Sequence, residues 1–164
     1  MFGNIEMPNL MPGKPGTKEA FGISILNDDL TLKIPPKALA HYGIFETDHI
    51  ILVTGHRGKS GFGLIKKATG LKSVFGKFIK QLEFKEKLYS FNNRTYVMLE
   101  IKNGIININD AILKTYYLKI GDRLLVVKST TTTMSFTPVE IWIENFKKHR
   151  FNEAIQNLNK LEVF

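Results

Sequence analysis

The chain repeats one pattern of apolar and turn residues at a spacing of 74, so that residues 21–53 align with residues 95–127 without a gap. A period of this length that occurs twice indicates a duplicated unit rather than a solenoid, which needs three or more repeats. Five aligned pairs are identical: Ile34/Ile108, Leu39/Leu113, Tyr42/Tyr116, Asp48/Asp122 and Val53/Val127. The shared apolar pairs are Ile23/Val97, Ile25/Leu99, Leu32/Ile106, Ala38/Ile112, Ile44/Leu118, Ile50/Leu124, Ile51/Leu125 and Leu52/Val126.

Each copy of the unit is predicted to contain two β-hairpins joined by a short helix. In the first copy, apolar residues alternate on both sides of the polar turn 27–29, which predicts a hairpin from Ile23 to Ile34. Pro36 suits the first turn of a short helix over residues 37–42, which Gly43 ends. A third strand is predicted over residues 50–53, and a fourth strand begins at Leu64 after a glycine-rich loop.

An amphipathic helix is predicted after each unit, at about residues 73–83 and 150–162. The apolar stripes, Val74–Phe75–Phe78–Ile79–Leu82 and Phe151–Ala154–Ile155–Leu158–Leu161, are expected to pack on the strands or on a second copy of the chain, forming a homo-oligomer. One unit of about 45 residues buries too little apolar surface to be stable alone, so both units should share one core. The expected division is an extended arm over 1–20, a first repeat over 21–83, a connector over 84–94 and a second repeat over 95–164.

The formal net charge is +8 over 164 residues. Residues 71–94 carry six cations and two anions, whereas residues 95–145 carry five of each. Such an excess favours nucleic acid or anionic lipid as a partner, although it is also compatible with an ordinary solubilising surface. The absence of cysteine excludes disulfides and thiolate sites and fits a reducing cytoplasm. The apolar run Ile50–Val53 is far too short to span a membrane, so no membrane partner is expected.

Three groups of cations are candidate anion-binding sites. The first is the glycine-rich loop segment 56–61, in which Arg57 and Lys59 supply charge while glycines let the backbone approach a phosphate. The second is Lys33, Lys37 and Lys114. The third is a secondary basic cluster, Lys147, Lys148 and Arg150, predicted to start the last helix, where cations oppose the helix dipole. Each group has the alternative interpretation of a solvated surface.

Catalysis finds little support in the sequence. The four histidines show no metal-ligand spacing, and we expect neither an enzyme nor a cofactor. Gly58-Lys59-Ser60 does not form a phosphate loop because a strand, not a helix, is predicted to follow it. Asp48 and Asp122 occupy equivalent positions and are expected to hold turns.

The segments Leu32–Ile44 and Leu118–Val127 resemble the AbrB/SpoVT swapped-hairpin family, in which a strand ends in Ile-Pro, a short helix follows, and Gly-Asp leads into the next strand. Among tandem members the layout is similar to the MraZ regulators. The resemblance implies a fold of mostly β structure with α-helices, in which both repeats form one swapped-hairpin barrel within the chain. It also implies a transcriptional regulator that binds duplex DNA.

The positions of the family's DNA-contacting arginines hold other residues here, and only Lys114 among them is basic. These positions are Ser24, Met98, Thr31, Ile105, Leu39, Ala40, Leu113 and Lys114. We therefore expect contacts to phosphates, through Lys33, Lys37, Arg57, Lys59 and Lys114, rather than strong base readout. The alternative functions are an antitoxin-like or other protein-interaction module, and RNA binding or another role without nucleic acid.

Overall fold

A computed structural model describes residues 5–8, 17–54 and 60–164 of the protein. The strands in these ranges are β1 Ile5–Pro8, β2 Thr17–Ile25, β3 Thr31–Lys33, β4 Asp48–Thr54, β5 Phe62–Lys66, β6 Leu88–Phe91, β7 Arg94–Ile101, β8 Ile105–Asn107, β9 Arg123–Lys128 and β10 Thr133–Pro138. The helices are α1 Pro36–Tyr42, α2 Lys67–Leu71, α3 Gly76–Ile79, α4 Asp110–Thr115, α5 Val139–Lys148 and α6 Asn152–Leu158. None of these helices is long and apolar enough to cross a membrane.

The protein is a mixed α/β structure rich in strands. Seven strands form one antiparallel sheet in the order β2-β9-β10-β5-β4-β7-β6, and β1 adds to it beside β2. Strands β3 and β8 form a second, two-stranded sheet. The predicted closed barrel is not found, because no pairing among the described strands joins the β6 end of the large sheet to the β1 end.

The two repeats are interleaved. Strand β2 of the first half (β2 to β6) pairs with β9 of the second half (β7 to α6), and β7 of the second half pairs with β4 of the first. The fourth strands of the repeats, β5 and β10, pair across a local two-fold axis at Gly63 and Ser135. The second strands, β3 and β8, do the same at Leu32 and Ile106. This interleaving gives the two units the single shared core that the repeat predicts.

The predicted first hairpin is wrong in its pairing. Strands β2 and β3 follow each other through the turn at residues 27–30, but β2 pairs with β9 and β3 pairs with β8. The turn itself forms, since Asn27 N donates to Thr31 O at 3.0 Å and Leu30 N to Asn27 O at 2.9 Å. The strands separate after it because each finds its partner in the other half. The β4–β5 and β9–β10 hairpins are paired within their own halves.

Both halves contribute to one central core. Its members include Leu32, Ile50 and Leu64 of the first half, and Ile106 and Leu124 of the second. Two further clusters lie on the other side of the large sheet. One joins β2 and β9 to α5 and α6, and the other joins β4, β5 and β7 to α3. The middle strands are therefore covered on both faces.

The gapless offset of 74 fails on the first strand of each repeat. Ile23 belongs to the cluster under α5 and α6, whereas Val97 belongs to the central core, so the two side chains face opposite sides. Leu26 is the true equivalent of Ile101: Leu26 N donates to Asp122 O at 3.0 Å, and Ile101 pairs with Asp48. The first repeat has one more residue in its turn, and a one-residue slip reverses the facing of every side chain on the strand.

The helices after each repeat differ from their predicted bounds. Within the helix expected at 73–83 only α3 forms, with α2 before it, and Phe75 and Phe78 pack only partly buried against the sheet. Within the helix expected at 150–162 α6 forms over a shorter range, with α5 before it, and Phe151 remains 38% exposed. Helix α5 ends where Arg150 adopts a left-handed conformation (φ 59°) and Phe151 N donates to Phe146 O at 2.8 Å. This is a Schellman motif, which reverses the chain.

Candidate nucleic-acid interface

Lys33 lies at the end of β3, close to the local two-fold axis. Its backbone pairs with Ile105, and its carbonyl oxygen accepts a hydrogen bond of 2.6 Å from the Ser24 hydroxyl. The Lys33 side chain is exposed, with Nζ 5.7 Å from the centroid of the Phe164 ring. The equivalent position on β8 is Asn107, so the axis does not generate a second lysine.

Lys37 and Lys114 lie on the equivalent helices α1 and α4, but at different positions. Lys37 is half-buried in the first turn of α1, and Lys114 is exposed in the last turn of α4. Their counterparts in the other repeat are Ala111 and Ala40. The structure therefore places two predicted lysines on the first half and one on the second, without a symmetric pair.

Arg57 and Lys59 lie outside the described residues, but the chain that follows them is held firmly. The Ser60 hydroxyl donates to Tyr117 O at 2.7 Å, and Gly61 N donates to Tyr116 O at 3.0 Å. Tyr117 is three residues beyond Lys114. Ser60 and Gly61, which follow the predicted cations in the chain, therefore lie beside the C-terminal end of α4, and the last turn of α4 carries Lys114.

The other long hairpin makes the related contact. The Tyr42 hydroxyl, at the end of α1, donates to Thr133 O at 3.0 Å and lies 3.3 Å from Thr130 O. Burial, with a smaller effect from the Glu19 carboxylate, raises the pKa of Tyr42 above its ordinary value. Each long hairpin is therefore fastened to the helix of the opposite half, which is a direct result of the interleaving.

Acidic side chains limit the positive potential near β3. Asp28 and Asp29 are exposed in the turn that precedes this strand. Hydrogen bonds from the Thr31 side chain (2.6 Å) and backbone lower the pKa of Asp29. The equivalent turn of the second half contains Lys102 instead. The turn of the second half is thus more favourable for an anion than the turn of the first.

The expectation that Asp48 and Asp122 hold turns is confirmed. Asp48 Oδ2 accepts from Phe45 N at 3.2 Å, and Asp122 Oδ2 accepts from Lys119 N at 2.8 Å. Lys66 lies 3.5 Å from Asp48 and donates to Gly43 O at 2.7 Å. Lys66 is thus already paired with Asp48 and with a backbone carbonyl of the protein itself.

The secondary cluster lies in a different place from the one predicted. Lys147 and Lys148 form the last turn of α5, and Arg150 occupies the turn after it, all three exposed. Cations at the C-terminal end of a helix stabilise its dipole rather than oppose it. Helix α5 was not predicted because it begins at Val139, directly after Pro138, the last residue of β10. The helix dipole therefore gives no reason to expect a bound anion at this cluster.

Sequence reasoning also missed a surface on the first half where cations lie over aromatic rings. Lys87 Nζ lies 5.8 Å from the Phe84 ring centroid and 5.4 Å from that of Tyr89. Lys77 lies 4.9 Å from the centroid of Phe78, and Arg94 lies 5.6 Å from that of Phe75. The sequence signal for this surface is that residues 71–94 combine an excess of cations with several aromatic residues.

The sequence matches no protein-family model and no curated protein. Within the described residues, no group of three or more histidine, aspartate or glutamate side chains is arranged to hold a metal ion. The function must therefore be argued from the chain itself.

Proposed function

We propose that the protein is a DNA-binding regulator with the swapped-hairpin architecture, and that it contacts the phosphates of duplex DNA. The observation that carries this proposal is the attachment of Ser60 and Gly61 to the end of α4. It holds Ser60, the residue that follows Lys59 in the chain, at the end of the helix that carries Lys114. A phosphate oxygen suits cations on a glycine-rich backbone, which is the contact proposed for Arg57, Lys59 and Lys114.

The two first-strand positions at which the family contacts DNA favour contacts to the DNA backbone rather than to bases. Ser24 is fully buried and its hydroxyl donates to Lys33 O, while Met98 is 5% exposed in the cluster under α3. Neither side chain can reach the edge of a base. Lys33, Lys37, Arg57, Lys59 and Lys114 are then left as contacts that position the protein without selecting a sequence.

The local two-fold axis relates the two halves of the fold as a duplex relates its strands, although it does not relate the predicted lysines to one another. The sugar–phosphate strands of a duplex are themselves related by two-fold axes, and dimeric DNA-binding proteins match that symmetry. In this chain the two halves of one polypeptide would take the place of the two subunits.

A salt titration of binding to a random-sequence duplex tests the proposal. Affinity should fall steeply with salt, and the triple variant R57A/K59A/K114A should lower the log–log slope by about 0.9 for each phosphate contact that is lost. The matched control is Lys160→Ala, an exposed lysine beyond α6. Its slope should equal that of the unmodified protein.

Two results would contradict the proposal. Equal slopes for the triple variant and the control would remove these residues from the interface. If the protein did not bind the duplex at low salt, DNA would be excluded as its ligand and the protein-interaction alternative would be favoured. The observation in favour of that alternative is the exposed apolar surface at Phe45, Val74 and Phe84, which are 68%, 81% and 60% exposed.

A further inference from the structure

The outer face of the first half carries a row of aromatic rings that are only partly covered. Helices α5 and α6 bury Trp142 and Phe146 against the equivalent face of the second half. On the first half, α2 and α3 contain five and four residues, and four rings remain partly buried. These are Phe75, Phe78, Tyr89 and Phe91.

Three of these rings are close to parallel. Tyr89 and Phe91 have centroids 6.4 Å apart and planes 7° from parallel, and Phe91 and Phe78 have centroids 5.4 Å apart and planes 19° from parallel. Behind them, the buried Tyr96 ring lies 5.7 Å from Phe78 and 6.3 Å from Phe75. Because Tyr96 belongs to β7 in the interior of the sheet, the row is attached to a rigid element.

The segment of the chain that contains the row is also strongly basic. Residues 67–94 carry seven cations and two anions, a net charge of +5 of the total +8. Lys87 lies between Phe84 and Tyr89, within 5.8 Å of both centroids. Tyr89 also holds the backbone of Phe84, whose N–H donates to the Tyr89 hydroxyl at 3.2 Å. The Phe84 ring is 60% exposed, so most of it faces solvent.

We propose that this surface binds single-stranded nucleic acid, with unpaired bases stacking on Phe84 and the neighbouring rings while Lys77, Lys87 and Arg94 contact phosphates. Proteins that bind single strands combine aromatic platforms with a basic track in this way. A duplex cannot use the rings, because its bases already stack on one another. The inference goes beyond the duplex-binding proposal, since it involves a different surface and a different form of nucleic acid.

The test is binding of a fluorescent oligothymidylate of about 16 nucleotides to the full chain. Phe84→Ala should weaken binding by about tenfold, because one stacked base is lost, and Phe84→Trp should retain it. Lys87→Ala should lower the log–log salt slope by about 0.7. The matched control is Phe45→Ala: Phe45 is also an exposed ring, 68% exposed, but its neighbouring cation is Lys66, with Nζ 4.4 Å from the ring centroid, rather than the Lys87 that Phe84 shares with Tyr89.

Equal affinities of the Phe84→Ala and Phe45→Ala variants, or no binding of the oligothymidylate at low salt, would overturn the inference. Competition by polyglutamate as effective as that by unlabelled oligothymidylate would overturn it too, because the surface would then recognise charge alone. A parallel titration with duplex separates the two proposals. Loss of duplex binding in R57A/K59A/K114A with unchanged oligothymidylate binding would support both, whereas oligothymidylate binding without any duplex binding would support this inference only.

Discussion

Phe62 and Phe136 stand directly opposite each other where β5 meets β10, and their rings stack with centroids 4.7 Å apart and planes 15° from parallel. Both side chains are buried, at 2% and 0% exposure. One comes from each half of the chain, so this contact joins the halves beside the local two-fold axis.

Replacing either phenylalanine with alanine should lower the free energy of unfolding by about 3–5 kcal/mol, because a large cavity opens in the central core. The double variant should lose less than the sum of the single changes, by about 0.5–1.5 kcal/mol, which is the contribution of the stacked pair. Urea denaturation of the four proteins measures this coupling. Strictly additive losses would show that the rings do not stabilise each other.

Tyr117 is held in a left-handed conformation (φ 53°) after α4, where Leu118 N donates to Leu113 O at 2.9 Å. Its counterpart after α1 is Gly43 (φ 63°), the residue that this conformation favours. Tyr117→Gly should therefore raise the free energy of unfolding by about 0.5–1 kcal/mol. The reverse change, Gly43→Tyr, should lower it by a similar amount. Thermal denaturation checks both, and a less stable Tyr117→Gly protein would contradict the assignment.

Stability should decrease at alkaline pH because of Tyr116. Burial raises the pKa of Tyr116 above its ordinary value, so the hydroxyl stays protonated in the folded state, where it lies 3.2 Å from both Leu52 O and Thr95 O. In the unfolded chain tyrosine ionises near about pH 10. The stabilisation is therefore fully present below that pH and is lost as the pH rises towards the folded-state pKa.

Tyr116→Phe separates this effect from the rest of the fold. The variant should be less stable by about 1 kcal/mol at neutral pH, because it lacks the hydroxyl donor. Its stability should decline less steeply above about pH 10. The pKa of Tyr42 is raised in the same direction, so the decline should be reduced rather than abolished. Urea denaturation between neutral and alkaline pH gives the comparison, and identical slopes would contradict the prediction.

Ser60→Ala tests whether the attachment of the glycine-rich loop matters for duplex binding. The variant removes the hydrogen bond to Tyr117 O but no charge, so its salt slope should stay unchanged while its affinity falls by about threefold to tenfold, equivalent to one hydrogen bond. Ser129→Ala, an exposed position in the other long hairpin, is the control. Equal affinities of the two variants would show that the loop binds without this support.

Local signals in the sequence were sufficient for the parts of the protein that short-range geometry decides. The predicted end of α1 at Gly43 is confirmed by its left-handed backbone, and the Asp48 and Asp122 turns are confirmed by their hydrogen bonds. The repeat itself also predicted that the halves share one core. Each of these features depends on residues that lie within a few positions of one another, or on the total apolar surface that a unit can bury.

Only the tertiary structure decided which strands pair and which way their side chains face. On β4 the run Ile50–Val53 is buried at every position, because one face meets the central core and the other meets the cluster under α3. Alternation between apolar and polar residues, the signal that assigns a face, is therefore missing from such strands. Ile23 and Val97 face opposite sides because one added turn residue shifts the strand, and apolar side chains suit both faces. Only the structure shows that Lys147 and Lys148 stand at the C-terminal end of α5. A helix dipole has opposite signs at its two ends, so their position decides that they stabilise the helix.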